Sequence, residues 1–153
     1  MKVTMYTDGS SRGNPGPGGY GTVLIAGQFR KELSEGYRLT TNNRMELLAV
    51  IRGLEALKKD GTDVLIYSDS KYVVDSVEKG WIWGWVKKGF KDKKNADMWR
   101  YFIPLYKKHK VTFKWVKGHA GIPENERCDE LAVMAATGAG LKIDKGFEEA
   151  QSS

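Results

Sequence analysis

Four carboxylates stand where a layered α/β chain would gather ligands. Asp8 closes a β-rich run over residues 3–7, and Asp69 follows a short apolar run over 63–68, directly before Ser70, a residue type suited to capping a helix. Ligands in such domains collect beyond the carboxyl ends of strands, so the two aspartates would converge if their strands are neighbours. Glu46 falls in the expected first turn of a helix and Asp129 early in another. Each alone has a plain structural reading. Asp69 would serve the neighbouring cap, Asn43 and Glu46 have capping-box spacing, and Asp129 sits among Glu124, Glu126 and Glu130. Jointly they say more. Four acids drawn together repel unless cations hold them, and hard oxygen ligands describe Mg²⁺ rather than zinc. Two such ions at one site would activate an attacking water and stabilise a departing oxyanion, the chemistry of phosphodiester hydrolysis.

Two further elements bear on that chemistry. His119 lies between Gly118 and Gly121 in a loop after a strand, reachable and suited to proton transfer near neutral pH; a surface histidine without a role fits the same local pattern. Between residues 79 and 94 there are six lysines (79, 87, 88, 91, 93, 94) and one acid, Asp92, interleaved with Trp81, Trp83, Trp85 and Phe90. Charges at this density cannot be buried unpaired, so the segment is expected to protrude on a partly buried aromatic root and to meet phosphates. Gly16, Gly18 and Gly21 satisfy G-x-G-x-x-G, yet they lead into a β pattern rather than a helix, which excludes a dinucleotide site. Cys128, flanked by Arg127 and Asp129 in a helical run, reads as a small buried hydrophobe and not as a partner for His119.

The elements that must position these residues follow from periodicity. Strands are expected over 3–7, 20–26 and 29–39, an antiparallel meander turning at Gly27. Leu47, Leu48, Ile51, Leu54 and Leu57 recur at helical spacing over 45–59, with Gly61 as the stop. A buried strand over 63–68, a helix from Ser70 to about Glu78, the basic insertion, and a helix over 96–108 that Pro104 would kink or divide come next. A strand over 111–116 and a helix from about Pro123 to Ala136 complete the order. The pattern gives an α/β domain with a mixed sheet. Residues 1–138 are read as one domain, and 139–153 as a poorly ordered tail.

The chain has 153 residues, enough for one core without disulfides, and a formal net charge of +6 that favours a polyanionic partner. One cysteine excludes a disulfide framework and fits a reducing compartment, so the cytoplasm is the expected location. The longest apolar run, 131–136, falls far short of the ~18 residues of a membrane span. No leader is visible before Asp8.

Six stretches are together recognisable: 6–10 (YTDGS), 13–21 (GNPGPGGYG), 40–47 (TTNNRMEL), 68–73 (SDSKYV), 116–121 (VKGHAG) and 124–132 (ENERCDELA). In this order the chain closely resembles bacterial type 1 ribonuclease H. The resemblance implies a ribonuclease H-like fold, a five-stranded mixed sheet (antiparallel meander plus two parallel strands) flanked by helices. It also implies endonucleolytic cleavage of the RNA strand of RNA–DNA hybrids to 5′-phosphate and 3′-hydroxyl products, with two Mg²⁺ ions, or Mn²⁺ as a substitute, per active site when substrate is bound. It assigns the metal to Asp8, Glu46, Asp69 and Asp129, and proton transfer or product release to His119. Positions matching Asn14, Asn42 and Asn43 contact the hybrid's minor groove, and Thr41 helps bind a DNA phosphate. The segment around Trp81, Trp85, Lys87, Lys88, Lys91 and Lys94 matches the basic protrusion that some members use to grip substrate. Lys71 stands where familiar members have glutamine, which turns a base contact into a phosphate contact. With no room before Asp8 for a separate hybrid-binding module, the domain would grip its substrate alone, as a monomer with no obligate protein partner. A non-catalytic nucleic-acid binding module of the same fold is the alternative.

Overall fold

The computed structural model describes residues 2–152. Five strands, β1 (Lys2–Ser11), β2 (Gly16–Ala26), β3 (Phe29–Thr40), β4 (Asp63–Ser68) and β5 (Lys110–Trp115), form one sheet in the order β3-β2-β1-β4-β5. The first three make the antiparallel meander, whereas β4 lies parallel to β1 and β5 parallel to β4. The mixed sheet inferred from the sequence is the one observed. Neighbouring parallel strands bring the ends carrying Asp8 and Asp69 side by side, because Tyr6 pairs with Tyr67.

Helices cover both faces. The helices are α1 (Asn42–Glu55), α2 (Lys71–Glu78), α3 (Trp81–Lys87), α4 (Ala96–Lys108), α5 (Pro123–Thr137) and α6 (Lys145–Ser152). Val3 and Met5 of β1 meet Leu47, Ile51 and Leu54 of α1 in the main core, which continues through Ile66 to Trp99 and Phe102 of α4. On the other face, Val23 packs with Cys128 and Leu131 of α5, and Tyr6 leans on this smaller cluster. Here α5 lies very close to the sheet. A Cβ at Gly19 or Gly21 would collide with the backbone of Ala132 or Cys128, and one at Gly36 with that of Ala135.

Four features depart from expectation. The strand expected from residue 20 starts earlier, because β2 begins at Gly16. The basic insertion contains a helix, α3, followed by a turn in which Phe90, Asp92 and Asn95 all take left-handed backbone. Pro104 leaves α4 a single helix. It faces solvent, so the carbonyl of Arg100, deprived of its donor, can be met by water. The tail expected to be poorly ordered instead docks: Lys142 pairs with Gly36 and Arg38 beside β3, and α6 follows. Arg38 then holds Glu148 through two hydrogen bonds of 2.9 and 2.8 Å.

The buried centre of this docking is Arg44 of α1, 3% exposed. Its guanidinium bonds Asp144 at 2.8 and 2.9 Å and Asp97 at 2.9 and 2.8 Å, while Thr40 donates to Asp144 at 2.7 Å. Burial disfavours the Arg44 charge, but the two carboxylates outweigh it and hold the group fully protonated.

Candidate active site

At the carboxyl ends of β1 and β4, Asp8, Glu46 and Asp69 each offer an oxygen, and these oxygens all lie within 4.8 Å of one another. The backbone arranges this locally. Asp8 points to the α5 face of β1 while Gly9 points to α1, and a Cβ at Gly9 would strike the backbone of Met45 and Glu46. That missing side chain lets α1 lie against the strand, and Glu46 reaches the strand end. The cap of α1 is Thr41, whose hydroxyl accepts from Arg44 N–H at 3.3 Å, so Asn43 and Glu46 form no capping box. The helix begins at Asn42, which puts Glu46 in its second turn rather than its first. Asp69 is equally free of capping duty, because Ser70 Oγ accepts from Val73 N–H at 3.2 Å. Trp115 Nε1–H fixes the backbone at this point, donating to the Asp69 carbonyl at 3.0 Å.

The electrostatics are those of crowded, buried carboxylates. Burial first, then the Asp69 and Asp129 charges, push Asp8 up to about 8, against a Gly9 N–H that donates to its Oδ1 at 2.9 Å. Burial, with Asp8 and Asp69 adding to it, pushes Glu46 well above the usual carboxylate range. Glu46 Oε1 and Asp69 Oδ1 are buried without a hydrogen-bond donor. Buried carboxylate oxygens without donors, all of them hard ligands, fit a hard divalent cation, and among the described residues no histidine or cysteine joins this trio. Asp129 adjoins Asp8 from α5 and lines one cleft with Asp8, Asp69 and His119. His119 is exposed in the loop between β5 and α5, with left-handed backbone at φ 57°.

The other sequence candidates divide into four groups. Asn14 and Asn42 are knitted together beside β1: Asn42 N–H donates to Asn14 Oδ1 at 3.1 Å, and Asn42 Oδ1 accepts from Ser11 N–H at 2.7 Å. Thr41, Asn43 and Lys94 line a polar cavity of about 570 Å³ that Asn14 also reaches. Lys71 Nζ sits 4.8 Å from the centre of the Trp115 ring, beside Asp69. Trp81, Trp85, Lys87, Lys88 and Lys91 belong to α3 and the following turn and do not line the carboxylate cleft. Trp81 is 48% exposed, whereas Trp85 packs edge-on against Trp99 and Phe90 is buried. The lysines project around that root.

Two polar residues of the site escaped the sequence reading. Asn125 lines the cleft and its Oδ1 is buried without a partner; Ser10 Oγ is in the same condition. The signal existed in both cases. Asn125 precedes Asp129 by four positions on a helix, and Ser10 follows Asp8 by two on a strand, so each shares its carboxylate's face.

Comparisons with known proteins identify the family of the chain. The sequence profile of the family described as RNase H matches residues 1–137. The chain is 54% identical over 151 residues to "Ribonuclease H" of Syntrophus aciditrophicus, covering 95% of this chain and 87% of that protein. It is 55% identical over 148 residues to "Ribonuclease H" of Desulforamulus reducens, covering 94% and 92%. Among solved structures, LC9-RNase H1 superposes with TM-score 0.80 at 34% identity, over 99% of this chain and 81% of that one. LC11-RNase H1, solved in complex with an RNA/DNA hybrid, gives TM-score 0.66 at 26% identity, over 95% and 99%.

Proposed function

The chain belongs to the RNase H family, and from that premise we propose how its own residues cut the RNA strand of an RNA–DNA hybrid. It is an endoribonuclease H. The observation that carries the assignment of its site is the convergence of Asp8, Glu46 and Asp69 within 4.8 Å, with buried oxygens that no protein donor satisfies.

Asp8, Glu46 and Asp69 hold the cations, and Asp129 completes the set from α5. Two Mg²⁺ ions, or Mn²⁺ in their place, supply when bound an activated water and neutralisation of the departing oxygen. His119, exposed at the rim of the same cleft, moves a proton at its ring nitrogens and assists departure of product. The products are fragments with 5′-phosphate and 3′-hydroxyl ends.

Substrate choice rests on the rim. Asn14, Asn42 and Asn43 present amides to a minor groove in which only the RNA strand displays 2′-hydroxyls. Thr41, beside Lys94 in the polar cavity, takes a phosphate of the DNA strand, and Lys71 a phosphate near the cut. Trp81 and Trp85 with Lys87, Lys88 and Lys91 extend the grip along the hybrid. We read the enzyme as a cytoplasmic monomer; no described helix is long and apolar enough to cross a membrane.

Incubation with an end-labelled hybrid, with and without chelator, tests the whole reading. Cleavage of the RNA strand in Mg²⁺ that chelator abolishes is expected. Binding without product at any Mg²⁺ or Mn²⁺ concentration would reassign the chain to a non-catalytic binder.

A further inference from the structure

One oxygen joins the part of the molecule that grips to the part that cuts. Tyr72, in the first turn of α2, accepts two hydrogen bonds at its hydroxyl, from Asn95 Nδ2 at 3.1 Å and from the indole N–H of Trp99 at 2.8 Å. Both donors lie at the start of α4, where Asn95 stands just before the helix in left-handed backbone at φ 65°. The Asn95 amide is held in one orientation. Arg44, which can only donate, bonds its Oδ1 at 3.3 Å, and this leaves the amide nitrogen for Tyr72. Trp99 is fully buried, its ring 5.8 Å from that of Tyr72 and 5.9 Å from that of Trp85.

The two sides of this joint carry different tasks. Asp69 lies three residues before Tyr72, and Ser70 between them caps α2, so the helix and the carboxylate are held as one piece. Lys93 and Lys94 immediately precede Asn95 and line the polar cavity with Thr41. The offset between a phosphate held there and Asp69 decides which phosphodiester reaches the carboxylates, and an error of about 1 Å is costly. Trp99 alone would satisfy a buried hydroxyl oxygen. The second donor comes from the lysine-bearing turn, and the Asn95 side chain does not cap α4, so packing and helix capping leave this link unexplained. We propose that Tyr72 is a positioning residue: its hydroxyl fixes the turn at 93–95 against Asp69 and so selects the bond that is cut. This rests on the reading of the carboxylate cleft as the cutting site and adds to it a ruler.

A hybrid labelled at one RNA end, cut at a temperature well below the melting point of every variant, tests this. Tyr72→Phe keeps each cation that meets phosphate, so KM and its salt dependence should stay within about twofold of the parent. Its kcat should fall about tenfold, and its cuts should spread to neighbouring phosphates. Asn95→Gly, which tolerates φ 65°, removes the same link from the other side and should scatter the cuts in the same way. The double variant should be no slower than the slower single one. A Tyr72→Phe enzyme with lowered melting temperature but parental kcat and cut positions would overturn the proposal, leaving the residue a purely structural role. A raised KM with kcat intact would overturn it too, as would losses that multiply in the double variant, because the two side chains would then act apart. A parent that cuts no hybrid would instead bring down the reading of the cleft, and the ruler with it.

Discussion

Replacing Asp8 by Asn removes one of three carboxylates that crowd within 4.8 Å, and with it an oxygen ligand. Hybrid cleavage should fall below detection while hybrid binding persists, and the cation-free protein should melt no lower than its parent because repulsion is relieved. Turnover at the parental rate in a steady-state assay would refute the metal role of this residue. The same crowding has a signature in pH. Asp8 is raised from 3.8 to about 8 in the cation-free fold, by burial above all. Through that window the folded chain holds a proton that the unfolded chain has released, so stability falls as pH rises from 3.8 to about 8 and levels off beyond. Thermal melts in chelator should show this decline, and saturating Mg²⁺ should flatten it. A melting temperature that climbs with pH in chelator would contradict the assigned environment.

At the scale of the element, α3 and its following turn stand apart from the cleft and act through charge. Neutralising Lys87, Lys88, Lys91 and Lys94 together should raise KM and flatten its dependence on salt, with a smaller change in kcat. An unaltered salt slope in a KM series would place the segment away from the substrate. The aromatic half of this element was legible because charge density forbade burial of the lysines; which tryptophan turned inward was not, since Trp81 and Trp85 differ only in whether Trp99 stands opposite. The start of α1 was misread for a related reason. Asn43 and Glu46 have capping spacing, but Thr41 reached Arg44 N–H first, and local propensity cannot rank two caps two residues apart. Gly9 hid its function as well. In sequence it is one of many glycines, and only the approach of α1 reveals that a side chain there would hold Glu46 away from Asp8.

Over the whole molecule, a mixed sheet followed from periodicity, while convergence of the carboxylates was conditional on the strands of Asp8 and Asp69 being neighbours, which the β1–β4 pairing supplies. The docked tail did not follow. Residues 139–152 contain few apolar side chains at regular spacing, and what holds them is pairing with Arg38, Thr40 and Arg44, far away in sequence. Asp144→Asn should therefore cost about 3 kcal/mol, the lower end of the range for breaking one side of a buried pair. Chemical denaturation measures it, and a loss well under 1 kcal/mol would mean that Asp97 alone satisfies Arg44. Arg44 also donates to Asn95 at 3.3 Å, and Asn95 lines the cavity shared by Thr41 and Lys94, so a loosened tail should weaken the grip on substrate as well.

The family profile ends at residue 137, before Asp144 and α6. Anyone trimming the gene to the span of that profile would strip one carboxylate from a guanidinium sealed inside the protein and leave the other to carry the charge alone. The resulting shortened enzyme would express poorly or bind hybrid weakly with every metal ligand still present, and its failure would be mistaken for a defect of chemistry. The end of the profile and the boundary drawn by charge neutrality differ in this chain, and only the second is safe to cut at.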